Sequence, residues 1–114
     1  MADEVVLINV EDGLKRVMNN AKLYVRLLGK FKDDLTYKGI EQAFADGDME
    51  KAKTAAHTFK GLTANLSLSE LYKQSVELET QIKAGSLNQD QLAVVKDVYE
   101  KTLIETDKVI AKYE

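Results

Sequence analysis

Apolar residues recur at spacings of three and four along most of this chain, the pattern of helices that bury one face. Leu23, Tyr24, Leu27, Leu28, Phe31 and Leu35 make one such stripe, and Leu92, Val95, Tyr99, Thr102, Thr106, Val109 and Tyr113 make another. Polar punctuation divides the pattern into elements. Asn9, with Asp12 three residues on, opens a short helix, and Asn19-Asn20 breaks it and caps a second that runs to about Asp34. A shorter helix from about Tyr37 to Ala45 stops at Asp46-Gly47, where glycine takes the left-handed conformation. Asp48 caps a helix through about Leu66. The Ser67-Leu68-Ser69 step interrupts it, and Ser69 caps a helix ending near Ala84-Gly85. Asn88 with Gln91 is a capping-box pattern that opens the last helix. Four long helices joined by a few residues each predict an all-α antiparallel four-helix bundle with a short N-terminal helix, in one domain spanning 1–114.

Composition agrees and narrows the function. Of 114 residues, 45% are hydrophobic and 31% charged, enough for one core without metal or disulfide support. Proline is absent, so nothing interrupts long helices. Cysteine is absent too, which removes disulfides, thiolate nucleophiles and cysteine zinc sites and is compatible with a reducing cytoplasm. The acidic start Met-Ala-Asp-Glu and the short apolar run Val5 to Ile8 make neither a signal peptide nor a membrane span, so a cytoplasmic protein is expected. Net charge is −3 with no basic cluster, so nucleic-acid binding is not expected.

One residue stands out chemically. His57 is the sole histidine, and histidine is the side chain that ordinarily changes charge near neutral pH. At about 100° per residue, Ala52, Ala55, Phe59, Leu62 and Leu66 cluster on one face, expected to pack inward, and His57 points nearly the opposite way. Lys53, Lys60, Gly61 and Ala64 share its outward face. Glycine inside a helix costs about 1 kcal/mol against alanine. A bare patch at Gly61 and Ala64 beside an exposed imidazole therefore suits the close approach of another surface.

The run Ala56-His57-Thr58-Phe59-Lys60-Gly61-Leu62-Thr63-Ala64-Asn65 resembles the signature of histidine-containing phosphotransfer (HPt) domains, in which a helix carries His, then Lys three and Gly four residues on. Val10 to Arg16, followed by Leu23-Tyr24, Leu27-Leu28 and Phe31, is similar to the opening of these domains. Many members have glycine where this chain has Ser67. The resemblance implies that His57 takes a phosphoryl group from a receiver-domain aspartate and passes it to another receiver. It also implies that a hybrid sensor histidine kinase and response-regulator receivers are the partners, and that Mg²⁺ belongs to the receiver, leaving this chain with no cofactor of its own. Lys60 would offset phosphoryl charge, and Gly61 and Ala64 would face the receiver.

If the helices joined around Leu68 are antiparallel, residues 57 and 79 are equally distant from the turn, so Glu79 pairs with His57 and orients its ring; a turn shifted by one residue would move the match to Leu78 or Thr80. The family has Glu or Gln at this spacing in several members. A kinase would need a nucleotide-binding domain, for which the chain has no room, and no nucleophile elbow is present for a hydrolase. The alternative is a helical adaptor that binds receivers or partner helices without accepting phosphate. A monomer is expected, and Met1 with a fully capped bundle fits a free-standing protein.

Overall fold

Side-chain caps start the helices close to where the sequence places them. The computed structural model describes residues 5–113, so the acidic start Met1 to Glu4, and Glu114, lie outside it. The elements are α1 (Val10–Arg16), α2 (Ala21–Asp33), α3 (Thr36–Asp46), α4 (Met49–Asn65), α5 (Ser69–Lys83) and α6 (Gln89–Tyr113), with no strand among the described residues. Asn9, Asn20 and Asp48 each accept a hydrogen bond from the backbone N–H three residues on, at 3.1, 3.0 and 3.1 Å. Each thereby satisfies a donor that has no partner within its helix. Gly47 ends α3 at φ 66°.

Three local expectations fail for identifiable reasons. Leu68, not Ser69, is the N-cap of α5, and it makes no side-chain cap; the Ser69 hydroxyl reaches only the Ser67 carbonyl, at 3.4 Å. Asn88 caps α6 through the N–H groups of Asp90 and Gln91, but the Gln91 amide turns to Gln74 on α5 instead of closing a capping box. Leu35 leaves the α2 stripe because the helix has already ended at Asp33; it is 68% exposed.

Helices α2 to α6 enclose the bundle core, to which the short α3 contributes Tyr37, Ile40, Ala43 and Phe44. α4 lies between α3 and α5, α5 packs on α6, and α6 returns to α2, while α1 lies against α2. Leu14 and Val17 pack on the core and close one end of the bundle. The stripe of α6 is buried at Leu92, Val95, Thr102, Thr106 and Val109, joined by Val98. The two threonines enter the core because each hydroxyl donates to the carbonyl four residues back, at 2.7 and 2.8 Å.

The N-terminal helix is tied to the α4–α5 turn. The Tyr24 hydroxyl donates to the Leu66 carbonyl at 2.8 Å, and burial pushes its pKa up to about 12, so it remains a donor. Gly13 lies directly over that ring: a Cβ there would sit 2.5 Å from Tyr24 Cζ. Tyr24 is fully buried and anchored by its hydrogen bond, so it has little room to retreat. Gly13→Ala should therefore lower stability by about 1–3 kcal/mol, despite alanine's helix advantage of about 1 kcal/mol. Denaturant unfolding checks this, and an unchanged midpoint would show that Tyr24 moves aside freely.

Candidate functional site: a histidine on a shared carboxylate

Phe59 fixes the direction of His57. Its ring packs with Phe31 of α2, Tyr37 of α3 and Tyr99 of α6 at centroid distances of 6.0, 5.8 and 5.8 Å, which suits aromatic pairs. Two residues along a helix lie about 200° apart, so an inward Phe59 turns His57 outward, and its side chain is 69% exposed. The buried stripe of α4 is Ala52, Ala56, Phe59, Thr63 and Leu66. The expected Ala55 and Leu62 are only partly buried. The face is rotated because Thr63, passed over as polar, is fully buried with its hydroxyl donating to the Lys60 carbonyl at 2.8 Å.

The α4–α5 turn sets which residue of α5 faces His57. Ser67 takes the left-handed conformation at φ 57°. The N–H of Ser67 bonds to the Ala64 carbonyl at 3.2 Å, and that of Leu68 to the Thr63 carbonyl at 2.9 Å, with Leu68 fully buried. This is the Schellman closure that ordinarily uses glycine. Here the serine is held from outside: its hydroxyl donates to Asp12 at 2.5 Å, and its carbonyl accepts from the Asn9 N–H at 2.9 Å. Ser67 and Arg16 together hold the Asp12 carboxyl below its ordinary value.

With that register, Glu79 Oε2 lies 2.7 Å from His57 Nδ1. The other oxygen, Oε1, lies 2.6 Å from Lys60 Nζ, and Lys83 Nζ is 3.7 Å from Oε2. The Glu79 side chain is only 4% exposed. Burial alone would raise its pKa, but hydrogen bonds from Lys60 and His57 and the charges of Lys60 and Lys83 outweigh burial and hold it below the ordinary 4.5. The same hydrogen bond raises the pKa of Lys60. An ionised carboxylate only accepts, so Nδ1 carries the proton in this contact. Nε2 has no hydrogen-bond partner among the described residues.

His57, Lys60 and Glu79 are thus one contact group. Lys60, expected to offset phosphoryl charge, is bonded to Glu79. Gly61 and Ala64 lie farther along α4. Gly61 is exposed, and a Cβ there would meet nothing within 4 Å, so nothing within the chain requires its bareness. Ala64 is half-buried at the edge of a hollow it shares with Arg16, Ser67 and Tyr72. His57 opens onto a separate hollow of about 360 Å³ lined also by Lys53, Thr54, Thr58, Glu79 and Lys83. Lys83 was missed in the sequence, although its spacing of four residues from Glu79 was the available signal.

Among protein-family models, that of the Hpt domain matches residues 26–105, well over half of the chain and including all five expected site residues. The chain belongs to the Hpt domain family. Hpt domains are helical phosphocarrier modules of two-component signalling, without a kinase domain of their own. Comparison with curated proteins and with solved structures gives no match. Among the described residues of this Hpt domain, no helix is long and apolar enough to cross a membrane, and no group of three or more His, Asp or Glu could hold a metal ion.

The depressed Glu79 carboxyl has a signature in stability. A carboxyl whose pKa falls on folding stabilises the fold fully above its unfolded value and loses that contribution as pH drops through the folded value. Glu79→Gln should therefore be less stable than the native protein near about pH 7, with the gap closing below about pH 4. Urea unfolding across that range checks it, and a gap of constant size would show that the Glu79 charge is immaterial.

Proposed function

We propose that this chain is a phosphorelay intermediate that accepts a phosphoryl group on His57 Nε2 from a receiver-domain aspartate and returns it to the aspartate of another receiver. One observation carries the reading: an exposed imidazole has its Nδ1 proton engaged by a buried carboxylate at 2.7 Å, which leaves the Nε2 lone pair facing outward. In the forward step that lone pair attacks the phosphorus of the aspartyl phosphate. The P–O bond to the aspartate breaks, and its electron pair leaves on the carboxylate. The imidazole gains positive charge as the N–P bond forms, and Glu79 offsets it across the Nδ1–H bond. The reverse step releases the phosphoryl group to a second aspartate.

Phosphoryl transfer depends mainly on positioning and on offsetting charge. Lys53 and Lys83 line the hollow beside His57, and Lys60 adds positive charge one helical turn away. Gly61 and Ala64 form the approach surface for the receiver. Mg²⁺ belongs to the receiver's acidic pocket, and this chain binds no cofactor. The partners are response-regulator receivers and a hybrid sensor histidine kinase, and the protein acts as a cytoplasmic monomer.

Incubation with phosphorylated receivers and Mg²⁺ should yield an acid-labile, base-stable phosphoprotein. His57→Gln should abolish the label while keeping the fold by circular dichroism. Absence of label with each of several receivers would leave the adaptor reading, in which His57→Gln changes nothing. Gly61→Gln, placed inside α4 where no internal contact opposes a side chain, should keep or slightly raise the unfolding midpoint and slow transfer by about tenfold or more, since small misplacements of reacting groups are costly. An undiminished rate would show that the receiver does not approach over Gly61.

A further inference from the structure

The turn that sets the register of α4 against α5 is held from outside the hairpin. Ser67 stands at φ 57°, a left-handed backbone that glycine takes freely and an L-residue resists. Ser67 is buried, at 6% exposure, and among the described residues its hydroxyl has one acceptor, Asp12 at 2.5 Å. The Asn9 N–H meets the Ser67 carbonyl at 2.9 Å, so the start of α1 holds both the side chain and the backbone of the serine. Asn9 and Asp12 precede residue 26, where the match to the family model begins. The support of the turn therefore comes from a part of the chain that the family match does not include.

We propose that Asp12 is a positioning residue for phosphoryl acceptance, holding Ser67 in the left-handed conformation and so standing in for a glycine at the α4–α5 turn. This deepens the phosphocarrier reading and rests on His57 being the acceptor. Without the carboxylate, the buried hydroxyl loses its acceptor and the strained backbone loses its compensation. The turn then opens at its closing bond, from the Leu68 N–H to the Thr63 carbonyl at 2.9 Å. Opening lets α5 shift along α4 and loosens the approach of Glu79 to His57. Glycine at position 67 needs no such support, so with it the carboxylate becomes dispensable.

The test is a double-mutant cycle of Asp12→Ala and Ser67→Gly. Asp12→Ala keeps the backbone N–H that Asn9 caps, so the start of α1 is undisturbed. Amide hydrogen exchange at Leu68 reads closure of the turn, and ¹³C titration of Glu79 reads whether His57 and Lys60 still face it. His57 is labelled with phosphoramidate, a small donor, because Asp12 and Ala64 line one hollow and a receiver would sense both.

In Asp12→Ala, exchange at Leu68 should rise about tenfold or more, the factor one charge-assisted hydrogen bond controls. Glu79 should titrate at higher pH than in the native protein, and labelling should slow by about tenfold. Ser67→Gly and the double variant should keep the native values of all three. An Asp12→Ala effect of the same size with and without Ser67→Gly overturns the proposal, and so do native values in Asp12→Ala. Faster exchange with unchanged titration and labelling overturns it too, because the tie would then serve the turn alone. If Asp12→Ala does not fold, the double variant decides: native folding and labelling are expected, and failure to fold overturns the proposal. Exchange and titration need no phosphoryl donor, so failure of the native protein to accept phosphate would defeat the phosphocarrier reading without altering them.

Discussion

A buried carboxylate has to be paired, and that requirement organises the working face of this protein. Ionised groups taken out of water lose far more than an ordinary hydrogen bond returns unless cations or several donors face them. Glu79 meets the requirement with Lys60 on one oxygen and the His57 ring on the other. The imidazole is thereby held by one nitrogen and left open at the other, although the ring itself stands in solvent. An exposed side chain ordinarily samples several rotamers; this one is tethered from below by a group that has few other partners.

That tether depends on register, and register depends on a turn of three residues. Because α4 and α5 are joined only through Leu66, Ser67 and Leu68, a slip of one residue would bring Leu78 or Thr80 to His57. Ser67 holds a left-handed backbone that costs an L-residue roughly 1–2 kcal/mol. Its bonds to Asp12 and Asn9 offset that strain and tie the N-terminal helix to the same turn. α1 is thus mechanically connected to the site through one serine, and the close seat of Gly13 on Tyr24 keeps the tie short.

Much of this was legible in the chain because the signals were local or symmetric. Asn9, Asn20, Asp48 and Gly47 act where their side chains or backbone freedom predict, since capping involves only three or four neighbouring residues. Counting outward from Leu68 brought Glu79 opposite His57, because a tight antiparallel hairpin leaves little slack. The illegible parts involve partners from other elements. Thr63 and the α6 threonines enter the core through hydroxyl bonds that periodicity counts as polar. Gln91 is drawn from its own cap to Gln74 on another helix. The engagement of Lys60 with Glu79 needs two helices in place before it exists, so sequence spacing puts the lysine one turn from His57 without revealing its partner on α5.

The position of the phosphoryl group on the imidazole tests the central claim most directly. ¹H–¹⁵N and ³¹P spectra of the phosphorylated protein distinguish the two phosphohistidine isomers. The Glu79 tether predicts phosphate on Nε2 with Nδ1 still protonated; phosphate on Nδ1 would contradict it, because that nitrogen would have to give up the carboxylate 2.7 Å away.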